Sequence, residues 1–192
     1  MKNQWKPTTL RQICKLISGR HIDAKDYNSD ARGVGYLTGP SDFGTLNPVV
    51  SKWTEHPIVK ANKGDILITV KGSGVGKINV VDLDEVAISR QLMAVRVTGA
   101  EPHFVFLYLT STFDHFQSVS TGAAIPGVSR DQVLDLSLTL PPLPEQRRIV
   151  GILDEAFEAI ATAKANAEKN LHNARAIFES HLQAVFTQQG ER

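Results

Sequence analysis

The run Pro141-Pro142-Leu143-Pro144 constrains this chain more than any other feature. Proline has no backbone N–H and holds φ near −65°, so three prolines in four residues continue neither a helix nor a central strand. They stiffen the chain into an extended connector. Before the run the sequence is rich in Gly, Val, Ile and Thr. After it, Gly151 is the one glycine before Gly190, and no proline occurs. Ala, Glu, Lys, Leu and Gln dominate there, and these are good helix formers. The change of texture predicts a domain over 1–144 and a separate element over 145–192.

From Glu145 to about Thr187 the pattern predicts one helix of roughly 40 residues, about 60 Å long at 1.5 Å per residue. Glu145 suits the positive end of its dipole. Steps of four and three pick out Leu153, Phe157, Ile160, Lys164, Ala167, Leu171, Ala174, Phe178, His181 and Val185, and eight of these ten are apolar. Such a repeat is a coiled-coil seam. A helix about 60 Å long also outreaches a globule of roughly 140 residues, so part of the seam stays wet unless a second helix covers it. Leu153, Phe157, Ile160, Ala167, Leu171, Ala174, Phe178 and Val185 are therefore expected at a dimer interface. The small Ala167 and Ala174 let two backbones approach, and Lys164 or His181 would set register.

The preceding 144 residues read as a mixed α/β domain, which makes the whole chain α+β with a long C-terminal helix. Thr8 or Thr9 caps a predicted helix through Leu10, Ile13, Leu16 and Ile17, stopped by Gly19. Short β-branched runs predict strands at 66–70, 78–81, 86–88 and 93–97. A helix is expected from Pro102 to about Ser118 with Phe104, Leu107, Tyr108 and Phe116 on its apolar side. The alternation from Val133 to Leu140 predicts a half-buried strand feeding the prolines.

Composition excludes several functions. A single cysteine, Cys14, excludes an intramolecular disulfide and a four-cysteine zinc site, and fits a reducing, cytoplasmic compartment. No apolar run approaches the roughly 20 residues of a membrane helix. The six histidines show no metal-ligand spacing, and no GxSxG elbow marks a nucleophile. No catalytic residue, metal or cofactor is therefore expected. Gly72-Ser73-Gly74-Val75-Gly76-Lys77 is not a phosphate-binding P-loop, because Lys71 stands where that motif needs glycine and Ile78 where it needs Ser or Thr. It reads instead as a glycine-rich hairpin with exposed N–H groups flanked by Lys71 and Lys77, which suits a nucleic-acid phosphate. Arg90, Gln91 and Arg130 lie in or beside turns, and their side chains can make the bidentate contacts that read guanine or adenine. The candidate DNA contacts are Lys71, Ser73, Lys77, Arg90, Gln91 and Arg130. Since the net charge is only +1, DNA binding requires the basic residues to gather on one face or a partner to share the phosphates.

Several segments together resemble the specificity subunits of type I restriction–modification systems. Trp5 with Leu10, Ile13, Ile17 and Gly19 resembles the opening of their target recognition domain. Gly64-Asp65-Ile66-Leu67-Ile68 with the glycine-rich turn, and Ile88-Ser89-Arg90-Gln91-Leu92-Met93-Ala94-Val95, are similar to its central strands. The most specific piece is Leu140-Pro141-Pro142-Leu143-Pro144-Glu145-Gln146-Arg147-Arg148-Ile149-Val150, with Leu153-Asp154 after it, which resembles the join between recognition domain and long helix. The resemblance implies a non-catalytic subunit that reads double-stranded DNA. Modification subunits then methylate adenine with S-adenosylmethionine, and restriction subunits translocate and cut. A typical specificity subunit has two recognition domains and two antiparallel helices, whereas this chain has one of each. The expectation is a half-length form that pairs as a homodimer on a palindromic, interrupted target. The alternative is a decoy subunit that joins other restriction–modification subunits without reading DNA itself.

Overall fold

The computed structural model describes residues 5–72, 74–120 and 126–187. By its internal contacts the chain falls into two compact units, Met1–Arg147 and Arg148–Arg192.

Strand β1 (Lys6–Thr9) leads into a single helical turn, α1 (Leu10–Ile13). The backbone N–H of Thr9 donates to Gln12 Oε1, which satisfies one of the turn's orphan donors. The helix expected through Ile17 ends there, because Cys14–Ser18 is a strand, β2. The apolar residues Leu16 and Ile17 fit a period of two as well as one of 3.6. Pairing decides between them, since all five residues of β2 lie antiparallel to β9 (Leu92–Val97).

That ladder belongs to a four-stranded sheet in the order β2-β9-β6-β7, with β6 at Ile66–Thr69 and β7 at Ile78–Val80. Its pairs are all antiparallel. Both faces are buried, and successive side chains divide between two cores as a period of two requires. Leu16, Ile66, Ile68, Met93 and Val95 enter a core shared with the helices. Leu67, Leu92 and Ala94 enter a second core, with Leu37, Val86 and Ile88 of a second sheet. That sheet runs β4-β3-β8-β5 through Val34–Leu37 (β3), Trp53–Thr54 (β4), Lys60–Asn62 (β5) and Glu85–Ile88 (β8). Only its β3–β8 pair is parallel.

The helix expected over 102–118 is two, α2 (Pro102–Ser111) and α3 (Phe113–Val119), divided at Thr112, whose hydroxyl donates to Leu109 O. The buried side of α2 is Val105 and Leu109, while Phe104, Leu107 and Tyr108 are half-buried and Phe116 of α3 is fully enclosed. The segment is apolar almost all round, so its pattern holds no phase from which the inward face can be read. The strand expected over 133–140 is also divided. Ser129 caps a short helix, α4 (Arg130–Leu134), by accepting from the Gln132 N–H while Gln132 Oε1 accepts from Ser129 N. Only Ser137–Leu140 (β10) is extended, and it pairs antiparallel with β1.

Helix α5 spans Leu143–Thr187, two residues earlier than the sequence predicts, with Pro144 in the first turn where no N–H is needed. Its 45 residues correspond to about 67 Å. Gln146 is its one buried residue: Oε1 accepts from Glu101 N and Nε2 donates to Pro141 O.

Candidate nucleic-acid interface

Strand register brings loops distant in sequence to one edge of the domain. Ser18 lies opposite Met93, and Thr69 opposite Leu92, so the C-terminal ends of β2 and β6 meet the start of β9. Leu37 lies beside Ile88 in the parallel pair, which brings the ends of β3 and β8 to the same side. The turn Ser89–Gln91 joins the two sheets there. Its contacts knit the edge together: Arg20 N donates to Ile88 O, Ser89 N to Leu37 O, Val70 N to Gln91 O, and Ser89 Oγ to Thr38 O. Gly19 packs so closely against Ser89 that a Cβ would overlap its carbonyl. The glycine-rich hairpin completes the edge. Gly72 and Gly76 adopt φ of 89° and 84°, a region costly for other residues, and Gly72 N donates to Pro126 O.

Four of the six candidate contacts meet on this edge. Lys71, Lys77, Arg90 and Gln91 are all exposed, with the Gln91 amide lying over Gly39. Ser73 lies outside the described residues. Arg130 differs from the expectation of a side chain free to reach bases, because its guanidinium donates to Leu16 O at 2.9 Å and Ser18 Oγ at 2.7 Å. It ties α4 to β2. The edge also carries side chains that the sequence reading missed, the cations Arg20 and Lys52 and the imidazole of His21. Only strand pairing, which no local motif reports, places them there.

Charge is distributed unevenly over the domain. Arg11 pairs with Asp131 and Asp135, Lys60 with Glu85, Arg96 with Asp65, and Arg147 with Glu101. Asp65 is buried, so Arg96 holds it by a bidentate contact whose hydrogen bonds raise the guanidinium pKa further. Arg20, Lys71, Lys77 and Arg90 are in no ion pair with a described residue. Asp42, just after β3, turns inward to accept from Thr38 N and Oγ1. A chain of net charge +1 thus presents uncompensated cations along one edge. Among the described residues no three of His, Cys, Asp and Glu come together as metal ligands, and no helix is long and apolar enough to cross a membrane.

The expected seam lies open along α5. Phe157, Ile160, Leu171, Phe178 and Val185 are exposed, as are Ala167 and Ala174, while Leu153 is half-exposed. Ile152, Ile177, Leu182 and Phe186 are exposed too, and steps of four and three pass over them. At 100° per residue Leu182 and Phe186 fall on the same stripe as Phe178. A strict 3.5-residue repeat drifts off a straight helix and substitutes His181.

Residues 2–171 match the family model of the type I restriction modification DNA specificity domain. The chain belongs to that family. It is 31% identical over 195 residues to the type I restriction enzyme HindI specificity subunit of Haemophilus influenzae, and 28% identical over 160 residues to the MjaX specificity subunit of Methanocaldococcus jannaschii. Those alignments cover 93% and 81% of this chain but 40% and 37% of the relatives. Among solved structures, the HsdS subunit from Thermoanaerobacter tengcongensis superposes with a TM-score of 0.76 at 30% identity, covering 85% of this chain and 40% of that one. The S subunit from M. genitalium, at 17% identity and a TM-score of 0.61, shares the fold. The chain therefore spans about two-fifths of the length of the relatives it matches.

Proposed function

We propose that this chain reads DNA for a type I specificity subunit, recognising one half-site through the loop edge and pairing with a second copy through α5. One observation carries the reading. An exposed apolar stripe runs along a 45-residue helix. Water does not stabilise such a stripe, and an antiparallel copy of the same helix would cover it through a two-fold interface. Two domains so related would read a palindrome interrupted by a spacer, whose length the helix sets. Lys71, Lys77, Arg20 and Lys52 neutralise phosphates, while Arg90 and Gln91 reach base edges. Methylation of adenine and cleavage belong to the partner modification and restriction subunits. These share the phosphate contacts, which accounts for the low net charge.

The test is a map of adenine methylation in cells expressing this chain with its modification subunit. A palindromic motif with a fixed spacer is expected. A non-palindromic motif would replace the homodimer by pairing with a different recognition domain. Absence of methylation with both subunits present would leave the decoy reading.

A further inference from the structure

Beside the Ser89–Gln91 turn lies a cleft of about 210 Å³, walled by His21, Tyr27, Tyr36, Lys52, Arg90 and Gln91 among others. No motif marks it in the sequence. The Lys52 ammonium sits 5.4 Å from the centre of the Tyr27 ring, which fixes that flexible cation over an aromatic face. Tyr27 in turn packs against Tyr36, with ring centres 5.6 Å apart. Tyr36 is 2% exposed. Its hydroxyl oxygen accepts from Ile22 N at 3.2 Å, and no described residue accepts its proton. Burial pushes the phenol above its ordinary pKa, so the group stays protonated and a donor.

We propose that this cleft holds a phosphodiester group of the DNA backbone, bound by Lys52 and the Tyr36 hydroxyl. The donor and acceptor inventory decides the ligand class. The Lys52 ammonium donates and never accepts, and the Tyr36 hydroxyl proton has no acceptor among the described residues. A base edge presents donors as well as acceptors, whereas phosphate oxygens only accept. Lysine contributes a compact point charge suited to phosphate rather than to planar recognition. His21 stands beside Asp23 at 3.6 Å, which offsets whatever charge it carries, so it is left out of the ligand set. The inference rests on the loop edge being the DNA face. The cleft would fix the register of the duplex there, so that the adjoining Arg90–Gln91 turn meets the same base pair each time.

The experiment measures binding of the full chain, alone and with the modification subunit, to a labelled duplex of about 30 base pairs between about 50 and 200 mM salt. Lys52→Gln should lower the slope of log K against log salt by about 0.9 and weaken binding equally on every duplex. Tyr36→Phe, which keeps the ring and its packing, should weaken binding about tenfold with the slope unchanged. Lys71→Gln, on the neighbouring hairpin, separates the two levels of the argument. If it lowers the slope while Lys52→Gln and Tyr36→Phe match wild type, the cleft is overturned and the DNA face stands. If no variant differs from wild type, or the wild type binds no duplex in either form, both are overturned. Inorganic phosphate that raises the Tm of wild type but not of Lys52→Gln, with duplex binding equal in the two, would put a free anion in the cleft and overturn the proposal.

Discussion

The recognition domain and the long helix are built from similar apolar residues used in opposite ways. In the domain, Leu67, Leu92, Leu109 and Phe116 are removed from water by the sheets and helices packed against them. On α5, Phe157, Leu171, Phe178 and Phe186 have more than half of their surface in contact with solvent. Periodicity alone reports that a face is apolar. Whether that face meets its own chain or another depends on reach, and a helix of 45 residues is about 67 Å long. The comparison separates stability from assembly, and substitutions in each region should move one without the other.

The largest effect is expected on the helix. Leu171→Asp with Phe178→Asp would place charges in the proposed seam, weakening self-association at least about a thousandfold, roughly 4 kcal/mol. Sedimentation should report a monomer whose domain melts as before, and a wild-type chain that is itself monomeric would break the comparison outright. In the domain, Phe116→Ala should cost about 3 to 5 kcal/mol of stability in a denaturant titration, because a fully enclosed ring leaves a cavity. Self-association of the folded variant should be unchanged. Arg130→Ala comes next, at about 1 kcal/mol for the lost contacts to Leu16 and Ser18. If Arg130 is a strut and not a reader, the methylation motif of that variant will be the wild-type one.

The smallest effect concerns Cys14, whose thiol is pushed up to about 12 by burial from an unfolded value near 9. Between these values the native state holds a proton that the unfolded chain releases, so this contribution is complete below pH 9 and declines as pH rises toward 12. The stability difference between wild type and Cys14→Ala should therefore shift against the wild type over that range. A difference independent of pH would mean the thiol ionises equally in both states.

Strongly patterned segments were legible in the sequence. Residues 66–69, 78–80, 85–88 and 92–97 are strands where β-branched runs predict them, and the prolines mark the approach to α5. Segments whose letters serve two geometries were not. Leu16 and Ile17 suit helix or strand until β9 supplies a partner. Val133 and Leu134 alternate like a strand, but the Ser129–Gln132 cap draws them into a helix. The site divides in the same way. Lys71, Lys77, Arg90 and Gln91 stand beside recognisable turns, whereas Arg20, His21 and Lys52 reach the edge only through the pairing of strands far apart in sequence. Arg130 sits beside a turn as well, and its guanidinium is held by a contact with Leu16, more than a hundred residues away.

The pairing of β1 with β10 has a consequence for how such chains diversify. Lys6 lies opposite Leu140 and Thr9 opposite Ser137, so the backbone enters and leaves the domain side by side. A segment bounded in this way is a cassette. Recombination that exchanges everything between the two strands would bring in new loops and a new target while meeting the same two backbone positions. The β1–β10 ladder would act as the clasp that accepts each insert. Variation could then concentrate in the loops without disturbing α5.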